Sequence, residues 1–197
     1  MGHSQAEKAQ SREKITAAAA RQIRESGIDS LSIGDLMRSV NLTHGGFYGH
    51  FASRSALIAA ALDRALEDGE KASLATMATK GRRTLKSAAN SYLSTTHRDH
   101  VAEGCAVSAL SSDVARADEE VRAIMQARLT RFFEETAALL GNDDNARAGA
   151  IETWCLMIGA LSLARIFKGQ EVSDEILKTA RAAIRELEAT RTPADRL

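Results

Sequence analysis

The chain has 197 residues, 44% hydrophobic and 26% charged, which suits one large or two small soluble domains whose core needs no disulfide or metal staple. Its 26 basic and 26 acidic residues cancel, which argues against a protein that coats nucleic acid through bulk charge. Residues 1–60 hold 7 Lys/Arg against 5 Asp/Glu, so any DNA reading must come from placed contacts.

A single proline, Pro193, and abundant alanine predict long helices. No alternating strand pattern appears, and the expectation is an all-α fold of about nine helices. The first helix is predicted from about Ala6 to Ser26, with Ile15, Ala18, Ala19 and Ile23 on its apolar face and Gly27 as its stop. A second runs over Ile33–Val40, and Asn41 fills a tight turn that needs a left-handed residue. A third covers His44 to about His50. The fourth begins after Ser53 and runs to the high seventies, where Lys80-Gly81-Arg82 breaks it. The fifth is expected from about Arg83 to His100, and Glu103-Gly104-Cys105 leads into a short helix ending near Ala115. Asp118 caps a seventh that ends at Gly141, and Asn142-Asp143-Asp144-Asn145 is a loop. The eighth runs to Lys168 and stops at Gly169. The ninth is capped by Ser173 and ends near Arg191.

Ser32, Thr43 and Ser53 each stand just before a short apolar-periodic segment, where a hydroxyl caps free N–H groups. Three helix starts in succession favour phosphate, and His44, Tyr48 and His50 offer polar tips between them. A helix-turn-helix DNA reader is built in this way.

From Ile15 to Leu57 the chain resembles the DNA-binding domain of the TetR family of bacterial transcriptional regulators. The shared landmarks include Gly27, Asp35-Leu36, Leu42-Thr43 and Phe47-Tyr48. Tyr48-Gly49-His50-Phe51 followed by Ser53-Arg54 is the most diagnostic part. The resemblance implies a helix-turn-helix domain over residues 1–55, with its motif at about 32–51, and an effector-binding and dimerisation domain over 56–197. It assigns DNA contacts to Ser32, Thr43, His44, Gly45, Tyr48, His50 and Arg54, and leaves Phe47 and Phe51 as core anchors. Arg38 is either a backbone contact or a solvated cation. Gly34, Gly46 and Gly49 replace larger residues usual in the family, so sequence choice is expected to rest on few side chains and on DNA shape. One recognition helix reads only a few base pairs, which predicts a homodimer on a palindromic operator. The last two helices are the expected dimer interface.

An effector pocket in the C-terminal domain is implied in the same way, for a small, largely apolar molecule, and the chain is expected to be a repressor. Tyr92, His97, Cys105, Met125, Phe132, Trp154 and Met157 are the candidate lining, and each also suits ordinary core. Cys105 stands at a helix start, which favours a reactive thiol, so the alternative is an effector-free or thiol-redox-responsive regulator. His97 and His100 lack a third metal ligand at usable spacing, and neither builds a catalytic constellation with Cys105. No cofactor, metal or enzymatic activity is therefore expected. The apolar run 150–167 falls short of the ~20 residues of a span and carries Glu152 and Arg165. The polar, charged N-terminus carries no visible leader, so a cytoplasmic protein with reduced thiols is expected.

Overall fold

The computed structural model describes residues 5–78, 84–141 and 144–191, with side chains omitted for 73–78 and 191, and shows no strand among them. α1 (Gln5–Ser26) buries Ile15, Ala19 and Ile23 as its spacing predicts. It stops at Gly27, which takes a φ of 82° that side chains rarely adopt. α2 (Ile33–Ser39), a 3₁₀ turn (His44–Gly49) and α3 (Arg54–Ala78) follow. Then come α4 (Leu85–Tyr92), α5 (Thr95–Asp99), α6 (Ala106–Arg116), α7 (Glu119–Leu140), α8 (Asp144–Ile166) and α9 (Glu171–Arg191).

Three expectations need correction. Residues 44–49 form a 3₁₀ turn rather than an α-helix, since three of the six are glycines with poor helix propensity. The single helix expected over 83–100 is two, because Ser94 leaves the helical conformation and its hydroxyl caps α5 by accepting from the N–H of His97 at 3.2 Å. The Arg181 guanidinium donates to the Leu93 carbonyl exposed at that break. Ser173 is not the cap of α9, which starts two residues earlier at Glu171; Ser173 is fully buried and donates to the Ala164 carbonyl at 2.7 Å. The predicted break at Lys80-Gly81-Arg82 lies outside the described residues, as do Asn142 and Asp143, and α8 already includes Asp144 and Asn145. Asp118 caps α7 as expected, accepting from the N–H of Val121 at 3.0 Å.

The chain divides into two compact units. The first takes the chain up to Gly69 together with Ala102–Met125; the second takes Glu70–Val101 and the chain from Gln126 onward. The first unit is thus larger than the domain drawn at residue 55, and it includes α6 and the start of α7. Polar contacts explain why. Asp113 of α6 accepts from the N–H of Ile28 at 3.0 Å, Arg21 pairs with Glu103, and Ser55 donates to Asp118. Phe47, Ile15, Leu36, Met37 and Leu62 are fully buried in this unit. Each such side chain contributes about 1.5–3 kcal/mol of burial free energy.

The second unit is built on α4, α8 and α9 around Leu85, Leu93, Leu161, Leu177 and Ile184. Glu188 of α9 caps α4, accepting from the N–H groups of Leu85 at 2.9 Å and Lys86 at 3.0 Å. By length and composition alone α8 could cross a membrane, but it buries Ala150, Thr153, Met157, Leu161 and Ala164 within the unit, as a core helix does.

Candidate nucleic-acid interface

The interface is framed by two caps and a turn. Ser32 caps α2, its hydroxyl accepting from the N–H of Asp35 at 3.4 Å. Ser53 caps α3, accepting from the N–H of Ala56 at 3.0 Å. Between them α2 ends in a Schellman motif, with the N–H of Leu42 on the Met37 carbonyl at 2.8 Å and that of Asn41 on the Arg38 carbonyl at 3.1 Å. Asn41 takes the left-handed conformation its identity predicts, at φ 59°. This turn delivers residues 43–50 to the surface.

Phe47 points inward, is fully buried and stacks on Phe51 with centroids 5.7 Å apart. That anchor fixes the turn. Thr43, His44, Gly45, Gly46, Tyr48 and Gly49 are left exposed. Thr43 holds the cap position by its backbone, but its hydroxyl makes no capping bond and stays available to a ligand. Tyr48 is 66% exposed, with its ring edge against Phe47 at 5.2 Å, so its hydroxyl stands out on a braced ring. A Cβ added at Gly45 or Gly49 would meet nothing within 4 Å, and neither residue has a positive φ. At Gly34 the same atom would sit 3.6 Å from His44 Nδ1, so a larger residue there would crowd that imidazole.

Two predicted contacts are placed differently from Tyr48. His50 is half-buried with Nδ1 enclosed. Arg54 turns inward, and its guanidinium donates to the carbonyls of Ile28 at 2.9 Å and Leu31 at 3.3 Å. Arg38 pairs with Asp35, whose carboxyl is held below the usual range first by the Ser32 hydroxyl and then by Arg38. Sequence reasoning passed over Arg12. Its guanidinium lies 4.1 Å over the Phe51 ring and donates to the His50 carbonyl. The available signal was its place one helical turn before Ile15, at the rim of the buried stripe.

Of the candidate effector residues, the structure gathers Tyr92, His97, Phe132 and Trp154 in the second unit. Phe132 stacks on Trp154 at 4.7 Å, and Tyr92 meets Trp154 at 5.8 Å and His97 at 4.7 Å, both edge to face. Trp154 Nε1 donates to Thr136 Oγ1 at 2.9 Å and to the Phe132 carbonyl at 3.3 Å; Thr136 was not foreseen. Burial pushes the His97 imidazole below its ordinary pKa, and its Nδ1 lies 2.6 Å from the Tyr92 carbonyl oxygen. Met157 is buried in the same unit's core, whereas Cys105 and Met125 belong to the first unit. An open cleft of about 270 Å³ in the first unit is lined by Ile28, Arg54, Ile58, Asp113 and Asp118, among others, and by none of the seven candidates. Among the described residues no cluster of His, Cys, Asp or Glu is arranged to hold a metal.

The family described as bacterial regulatory proteins, tetR family, matches residues 15–61. No curated protein matches the chain. Solved structures share the fold along nearly the whole length. A TetR-family transcriptional regulator from Cytophaga hutchinsonii is 19% identical with a TM-score of 0.78, covering 98% of both chains. The reduced form of NemR from E. coli is 20% identical with a TM-score of 0.74, covering 90% of this chain and 96% of that one. A TetR regulator from Legionella pneumophila is 19% identical with a TM-score of 0.72, covering 94% and 98%. Residues 15–61 thus match the DNA-binding domain of the tetR family, in keeping with the helix-turn-helix geometry above, and the chain as a whole shares the fold of TetR-family regulators.

Proposed function

We propose that this DNA-binding regulator is a cytoplasmic homodimeric repressor. It reads a palindromic operator through Thr43, His44 and Tyr48 and leaves it when a small, largely apolar effector binds the second unit. The observation that carries the DNA reading is the turn at 43–49: Phe47 locks it from inside while every polar side chain on it faces out.

The dimer is supported by α8. Ala148, Ile151, Cys155, Gly159, Leu163 and Ile166 lie on its exposed side, with Leu163 50% and Ile166 72% exposed. Their spacing reads the same in both directions, so an antiparallel copy of the helix meets it residue for residue, as a two-fold interface requires. The effector is supported by the aromatic cluster around Trp154, which offers apolar ring faces and few polar groups. Binding there lowers DNA affinity only to the extent that the effector prefers the non-binding state.

Repeated selection from a randomised duplex pool tests the reading. The expected product is an inverted repeat whose half-sites lie about one helical turn apart. A pool that stays unenriched after several rounds would remove it.

A further inference from the structure

The first sixty residues carry seven cationic side chains, and the structure accounts for most of them internally. Arg21 pairs with Glu103, and Arg38 pairs with Asp35. Arg24 is 4% exposed, donates to the Ala65 carbonyl at 3.1 Å and lies 3.6 Å from Asp68. Arg54 is held by two main-chain carbonyls. Lys8, Arg12 and Lys14 remain exposed, and of these Arg12 is the one held against the DNA-reading turn.

Arg12 is fixed there in two ways. The face of its guanidinium covers Phe51, and one amino group donates to the carbonyl of His50, at the end of the turn. Among the described residues it has no carboxylate partner, since the neighbouring Glu13 pairs with Arg64. A guanidinium carries five N–H donors in a rigid plane. Stacking uses the face and His50 uses one edge, so donors remain for an anion. No carboxylate among the described residues pairs with its charge, and its side chain has already lost much of its rotamer freedom.

The geometry points to Arg12 as a phosphate-binding residue of the DNA interface, in the role that position alone gives to Arg54. The two arginines exchange tasks: Arg54 holds the loop before α2, and Arg12 of α1 presents charge beside the recognition turn. This inference rests on the DNA-reading assignment above.

Salt dependence separates a phosphate contact from a structural one. Affinity for an enriched duplex and for a scrambled duplex is measured across salt concentrations for the wild type, Arg12→Gln and Arg12→Lys. Gln keeps a donor for the His50 carbonyl and removes the charge; Lys keeps the charge. Arg12→Gln is expected to weaken binding to both duplexes alike and to reduce the slope of log affinity against log salt by about 1.8, the value for two lost phosphate contacts, one from each protomer of the dimer. Arg12→Lys is expected to retain the wild-type slope. An unchanged slope in Arg12→Gln, or the same reduced slope in Arg12→Lys, overturns the inference while the DNA reading stands. A wild type that fails to distinguish the two duplexes overturns both. Circular dichroism checks the fold of each variant, and protection of Arg12 from a dicarbonyl reagent by the enriched duplex is the second readout; equal modification with and without DNA also overturns the inference.

Discussion

Gly49 and Phe47 are two residues apart and answer to different demands. Phe47 is fixed by the core, so its role is legible in the sequence as an apolar anchor. Gly49 faces open space and has no unusual backbone angle, so nothing inside the unit requires it to be glycine. Gly49→Ala should therefore stabilise the protein by about 0.4–1 kcal/mol through a less flexible unfolded chain, raising the melting temperature by roughly 1–4 °C. A lower melting temperature would mean that the turn needs glycine for its own folding. The arginines show where sequence reasoning stops. A cation before a helix is visible in a string of letters, but the carbonyls that claim Arg54 are brought to it only by the fold. Arg12 was passed over for the converse reason, because Phe51 and the His50 carbonyl are 38 or more positions away in sequence.

At the scale of elements, caps and stops were the legible part. Ser32, Ser53, Asp118, Gly27 and Asn41 all act where their residue types predict. Ser94 escaped because the apolar periodicity continues across it, and the break is completed from a distance by Arg181 and Arg165. Arg165 donates to the His97 and Arg98 carbonyls, both at 3.3 Å. This broken segment places His97 among the rings of Tyr92 and Trp154, and burial holds its imidazole pKa below the ordinary 6.5. In the unfolded chain the same group takes up a proton near that value. The unfolded state therefore binds more protons as pH drops through the window below 6.5, and folding stability falls with it; above the window the neutral form is favoured in both states and the effect is complete. Melting temperatures of the wild type should drop between pH 7 and about pH 5, and His97→Asn should flatten that dependence. An equal drop in the variant would place the pH sensitivity elsewhere. The lowered carboxyls of Asp35, Asp99 and Asp118 act in the same direction at lower pH, their stabilisation being lost as pH falls below their ordinary 3.8.

For the whole molecule, the fold class was legible and the division was not. Helical periodicity and the near absence of proline leave little alternative to an all-helical chain. Where one compact unit ends depends on side chains such as Asp113 and Glu103, whose partners are in α1 and the loop after it and leave no trace in local pattern. The apolar character of α8 was equally plain, but only the structure separates the residues it buries from those it leaves exposed, such as Ile151, Leu163 and Ile166. Tyr48 and its exposed neighbours are the residues proposed to read DNA. This role is tested most directly by fluorescence anisotropy of an enriched duplex and a scrambled duplex at fixed salt, with the wild type and Tyr48→Ala side by side. The expected wild-type preference for the enriched duplex is at least about 10³-fold. Tyr48→Ala is expected to lose tenfold or more in affinity with an unchanged melting temperature. Equal wild-type affinity for the two duplexes, or full affinity in Tyr48→Ala, would contradict this role.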